Sequence, residues 1–284
     1  FNLRFKLGRI PNISDFAEHG SIYVSRIFNK FKSYHNFLIK IKDKDYDISF
    51  TPVQERMLHF ISQKLTAGMR ARDLLVLQAL LDGHHDVITY VSHELSNSYN
   101  VELSEHGRIN LINVMTNQFG VKAAQKTFED SVFIELSNGC YGISKAFKEA
   151  LEDSDFKAHV QELVAYGLKQ FDDKYKSNIY PNTPFALYEK YTYEQVCQLL
   201  EWPQNEVPLN IGGYKFHKET KTYPVFINYH KADDIQDTIK YEDRFENPGL
   251  LKAISKNKRS FSSDDVQTAF NADALGVAMH LFMR

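Results

Sequence analysis

Four basic side chains, Lys252, Lys256, Lys258 and Arg259, fall within one short stretch, LKAISKNKRSFSS, that holds no acidic residue. Lysine and arginine neutralise phosphates, and the intervening serines and asparagine donate to phosphate oxygens. Phe261 offers a face on which an unpaired base stacks. A solvated basic loop has the same composition, so that reading stands beside nucleic-acid contact. Just upstream, Arg244 in YEDRF either reaches a phosphate or is braced by Asp243, with Tyr241 and Phe245 anchoring the segment. A second basic run, Arg26, Lys30, Lys32, Lys40, Lys42 and Lys44, is interrupted by Asp43 and Asp45 and is weaker.

Other chemistries leave fainter marks. The phosphate-loop, dinucleotide and nucleophile-elbow patterns do not occur, and Gly212-Gly213 alone reads as a turn. Cys140 and Cys197 stand 57 positions apart without a second cysteine pair, which argues against structural zinc. His84-His85-Asp86 reads as a helix cap or surface feature, because adjacent histidines on a helix diverge. Asp233, Asp234 and Asp237 could approach a divalent metal in a nuclease, joined by Glu242 and a lysine, but they also suit an acidic helix start. The expectation is therefore a chain with no catalytic residue, metal or cofactor of its own.

The elements that must position these residues divide into two regions. The chain has 284 residues, 43% hydrophobic and 25% charged, which excludes disordered and low-complexity classes. A net charge of -2 excludes a uniformly basic protein but not a local basic patch. Two cysteines fit a reducing compartment, so a cytoplasmic protein is expected. No run of 18 apolar residues occurs, and no membrane partner is expected. Apolar spacings of three and four recur through the first 170 or so residues. Thr51 followed by Pro52 opens one helix, Asp82-Gly83 stops another, and Asp155 to Phe171 is the most helical stretch. The stretch from Phe133 to Phe147 reads as a turn against this bundle.

The breaker cluster Tyr180-Pro181-Asn182-Thr183-Pro184 marks a boundary. Thr192 and Gln195 then form a capping box for a short helix ending at Trp202. Tyr214 to His217 and Tyr223 to Tyr229 fit strands around the polar loop Lys218 to Thr222, and 238–246 and 274–283 look extended. The predicted fold class is α+β: an N-terminal multi-helix domain over 1–178, then a small helix-plus-antiparallel-sheet domain over 179–284. The start at Phe1 and the apolar end at 274–283 suggest a truncated fragment of a longer protein.

Three blocks carry a resemblance: Tyr191-Thr192 with Val196-Cys197, Leu199-Leu200 and Trp202; Asn210, Gly212, Gly213 and Tyr214; and Ile239 with Tyr241 to Phe245. Together they resemble a C-terminal domain of unknown function found on bacterial DEAD/DEAH-box helicases of superfamily 2. Lys6 to Pro11, Asp15-Phe16 and Ser33-Tyr34 with Phe37-Leu38 resemble the region after the motor core of those proteins. The resemblance implies a non-motor accessory region of an ATP-dependent DNA helicase. Its partners would be DNA and the missing motor domains of the same chain, and ATP and Mg would belong to that missing core. Lys252, Lys256, Lys258, Arg259 and Arg244 would contact nucleic acid. Two other classes compete: a protein-interaction or autoinhibitory module, and a divergent metal-dependent nuclease.

Overall fold

A computed structural model describes residues 11–19, 23–41, 47–66, 70–203, 206–207, 211, 213–227, 244–253 and 255–283. The chain divides into two compact units, residues 1–190 with 203–205, and residues 191–202 with 206–284. The α+β class is as expected from the sequence: a helix-rich first unit and a smaller second unit with short helices and small open sheets.

The first unit is built from α1 (Ile13–His19), α2 (Val24–Phe31), α3 (Tyr34–Lys40), α4 (Pro52–Phe60), α5 (Ala71–Leu81), α6 (Val87–Tyr99), α7 (Glu105–Met115) and α8 (Lys122–Thr127). A hairpin, β1 (Ile134–Ser137) and β2 (Cys140–Ile143), precedes α9 (Lys145–Ala150) and α10 (Ser154–Gln170). The helix starts are set locally. Thr51 and Gln54 exchange both capping-box bonds with Pro52 in the first turn, and Ser104, Ser144 and Asp153 cap α7, α9 and α10. The hairpin replaces the turn expected between Phe133 and Phe147. Asn138 and Gly139 both have positive φ, 52° and 82°, the geometry that a two-residue hairpin turn demands.

α5 and α10 pack at the centre of this unit. Leu74, Val76, Leu77, Phe156 and Val160 are fully enclosed, and Phe133 meets Phe147 edge-on at 5.0 Å. Each such side chain contributes about 1.5–3 kcal/mol on leaving water. Between α5 and α7, Arg70 forks onto both oxygens of buried Asp73 at 2.7 Å and also donates to Asn110. Among the described residues no helix is long and apolar enough to cross a membrane.

The second unit opens with α11 (Tyr193–Leu199), capped by the Thr192–Gln195 box. Then follow β3 (Thr222–Ile227), β4 (Arg244–Asn247), β5 (Leu250–Lys252), α12 (Asp264–Phe270), α13 (Ala272–Leu275) and β6 (Ala278–Met283). β4 and β5 are antiparallel, but β3 pairs with β6 in parallel, from Thr222 opposite Ala278 to Ile227 opposite Met283. Tyr214 and His217 make only single antiparallel bridges to Val225 and Thr222, so the expected first strand of a hairpin is reduced to two contacts. The expected extended piece at 274–283 begins instead inside α13. Met279, Leu281 and Met283 of β6 are about half exposed, so this strand does not enter a core with that face. A small apolar cluster forms around Tyr223, Ala272 and Val277, flanked by Tyr214, Phe216 and Ala269.

Candidate metal centre

The site begins where α11 ends. Glu201 takes a left-handed φ of 59°, and the Trp202 amide closes the helix end on the Cys197 carbonyl at 3.0 Å. This turns Trp202 inward, where it is fully buried. Its Nε1–H donates to Thr222 Oγ1 at 2.8 Å, tying the helix end to the first residue of β3. The Tyr214–Thr222 segment folds over this point, with the His217 amide donating to the Thr222 carbonyl at 2.9 Å and Lys221 turning the chain at φ 48°.

These contacts deliver three donor side chains to one place. One ligand atom each from Glu206, His217 and Glu219 lies within 4.8 Å of the others. The His217 side chain is 2% exposed, whereas that of Glu206 is 40% exposed. Nε2 of His217 stands 3.0 Å from Glu206 Oε2, an ion-pair contact across which the carboxylate attracts the ring. On the other side of the ring, Nδ1 lies 2.8 Å from the Thr220 hydroxyl and 3.2 Å from the Thr220 amide nitrogen. The Thr220 amide N–H donates to Nδ1, so in the neutral ring Nε2 carries the proton and faces the Glu206 carboxylate; a metal at Nε2 would have to displace that proton.

The electrostatics favour the neutral ring. Burial pushes the His217 pKa below its ordinary value, and the attraction of Glu206 only partly opposes this. The ring is therefore neutral near pH 7, as a ligand must be. Nitrogen and carboxylate ligands bind zinc at about 2.0–2.2 Å, so ligand atoms around one ion stand about 3.5 Å apart. The His217–Glu206 separation of 3.0 Å is close to that. Burial pushes the Cys197 thiol up to about 12.

Around this cluster sit lysines. Lys215 donates from Nζ to the Glu206 carbonyl at 3.2 Å and lies 5.5 Å from the centre of the Trp202 ring. Lys218 and Lys221 are exposed on the turn that carries Glu219.

The residues expected from sequence to meet nucleic acid are distributed differently. Arg244 and Lys252 face each other in register across β4 and β5. Lys256 donates to the Tyr214 carbonyl at 2.6 Å and rests 4.6 Å over the Tyr214 ring, and burial lowers its pKa. Lys258 occupies an exposed turn at φ 62°. Arg259 is paired with Asp265 at 2.7 Å. Phe261 is exposed and meets Phe270 edge-on. Of the earlier metal expectation, Asp233, Asp234, Asp237 and Glu242 lie outside the described residues, as do Tyr241 and Asp243. Asp86 does cap a helix, through the Thr89 amide, and His84 stacks on Tyr90 at 4.0 Å.

The Glu206, His217 and Glu219 trio was missed from sequence, and the expectation of no metal and no cofactor in this chain is corrected by it. The available signal was slight: a histidine at the end of an expected strand, a glutamate two positions on in a loop read only as polar, and a glutamate eleven positions before the histidine.

Residues 1–176 match a family described as a domain of unknown function (DUF8090), and the chain belongs to that family. Residues 185–284 match a second domain of unknown function (DUF3427). No curated protein matches the chain. These matches correct the helicase reading. They describe two domains of unknown function rather than components of a DEAD/DEAH-box helicase, so the accessory role, the motor domains as partner, and ATP with Mg in a missing core lose their basis.

Proposed function

We propose that the second unit binds a divalent metal ion through Glu206, His217 and Glu219 and uses it for metal-assisted hydrolysis of a nuclease-like kind. The observation that carries this is the convergence of one ligand atom each from Glu206, His217 and Glu219 within 4.8 Å of one another, with the His217 ring buried. One imidazole and two carboxylates suit zinc or manganese better than a soft cysteine-selected ion. Three protein ligands leave at least one coordination position for water, the pattern of catalytic rather than structural zinc. A cation there lowers the pKa of that water toward neutrality.

The test is a titration of the full chain with Zn2+, Mn2+ and Mg2+, followed by calorimetry and by the fluorescence of Trp202, the chain's single tryptophan. Saturable 1:1 binding that disappears in H217A supports the site. No saturable binding by any of the three ions overturns it.

A further inference from the structure

We infer that the open edge of β6 pairs antiparallel with β6 of a second copy of this chain, about a two-fold axis at Leu281. This pairing is independent of the metal centre. The ladder fixes where each backbone group points. The Ala278 amide donates to the Lys221 carbonyl at 2.9 Å, and β6 runs parallel to β3 from there. In such a ladder one residue turns both its N–H and its C=O to the neighbouring strand, and the next turns both away. Ala278, His280 and Phe282 therefore bond to β3, while Met279, Leu281 and Met283 aim theirs off the other edge. The far side of β3 is occupied: the Phe226 amide donates to the Gly213 carbonyl, and the Lys215 amide to the Pro224 carbonyl at 3.3 Å. Among the described residues nothing pairs with the outer edge of β6, and the sheet is β3 and β6 alone.

An open strand edge is a template for another strand, and charge, proline or a bulge normally blunts it. β6 reads AMHLFM and pairs with β3 without a register shift, so it carries none of these. The residues with outward backbone also have half-exposed apolar side chains, Met279 at 47%, Leu281 at 50% and Met283 at 45%. The occupant follows from the order of those residues, which is nearly the same read in either direction from Leu281. With Leu281 opposite its own copy, Met279 meets Met283 of the second copy and His280 meets Phe282. Every outward N–H and C=O then gains a partner in a hydrogen-bonded pair. No charge meets its like across the axis, which would destabilise the pairing. A two-fold contact requires this self-complementarity. The area sets the strength. Three half-exposed side chains per copy fall well short of the roughly 800 Å² per partner of a standard interface. The expected Kd is therefore weak, about 100 µM.

The experiment is sedimentation velocity of the full chain from about 5 to about 500 µM, a range that spans this Kd. A monomer–dimer equilibrium is expected. L281K and L281E each set like charges on the axis, and each should raise Kd at least about tenfold. An equal mixture of the two restores the dimer, because the axis then holds an opposite pair. Amide exchange of the native chain gives a second reading that needs no variant. The His280 and Phe282 amides are protected at every concentration, whereas those of Met279, Leu281 and Met283 become protected only at the high end. A chain that stays monomeric throughout overturns the proposal and leaves the edge to some other strand. A dimer that ignores L281K and L281E, that the mixture fails to restore, or whose outward amides exchange freely uses another surface or register and overturns it as well.

Discussion

The indole of Trp202 lies almost flat on the imidazole of His217, with centroids 4.8 Å apart and planes 21° apart. The same indole hydrogen-bonds Thr222, whose hydroxyl is 2.7 Å from that of Thr220, the residue that holds His217 Nδ1. A chain of Trp202, Thr222, Thr220 and His217 thus fixes the ring whose far nitrogen faces Glu206. Metal occupancy at Nε2 is expected to quench Trp202 emission. H217A and E219Q should weaken binding by more than the roughly 10–100-fold typical of losing an outer-shell partner. Calorimetry on each variant checks this.

Removing the indole tests the support rather than the ligand. W202F deletes the Nε1–H bond and part of the buried ring, at a cost of about 1–3 kcal/mol. Urea unfolding measures that loss. Because Thr220 still holds His217, metal affinity in W202F should fall by less than in H217A.

Acid should weaken the first unit through His35. Burial, with a further push from His159, lowers the His35 pKa to about 4 from an ordinary 6.5. The ring packs 4.4 Å from Phe50 and 6.1 Å from His159, which burial also pushes down. The unfolded chain binds the proton more readily, so the stabilisation is complete above pH 6.5 and is lost as pH falls toward 4. The loss reaches roughly 3 kcal/mol at the lower end. Urea midpoints at pH 7, 5.5 and 4.5 should fall steeply in the native chain and less in H35F.

Gly167 lies in α10 against Leu74. A Cβ there would stand 2.6 Å and 3.2 Å from the two Leu74 methyl carbons. Alanine gains about 1 kcal/mol in helix propensity. Leu74 is fully buried and has nowhere to retreat, so overpacking costs about 1–3 kcal/mol and wins. G167A should lower Tm by a few degrees, measured by calorimetry.

Losing the capping box at α4 has a purely local cost. T51A removes the acceptor for the Gln54 amide and should destabilise by about 1 kcal/mol without touching the metal centre. Denaturant unfolding and a parallel metal titration together check both halves of that statement.

Much of the fold was legible because its signals are local. The boxes at Thr51–Gln54 and Thr192–Gln195, the cap at Asp86 and the apolar spacing of α10 act within one or two turns of helix, so the sequence alone determined those elements and the α+β class. The hairpin at Asn138-Gly139 was present as a turn but not as strands, because four-residue strands carry too few alternations to declare themselves. The parallel pairing of β3 with β6 joins residues more than fifty positions apart, and no local pattern specifies it. The metal centre belongs to the same category. Its residues are ordinary in sequence: a histidine at the end of an expected strand, a loop glutamate and one more glutamate. Only the inward turn of Trp202, the bridge from His217 to Thr222 and the burial of the imidazole convert them into converging donors. Convergence of this kind is a property of tertiary contacts, which lower the dielectric around His217 and bring Glu206 to 3.0 Å from Nε2.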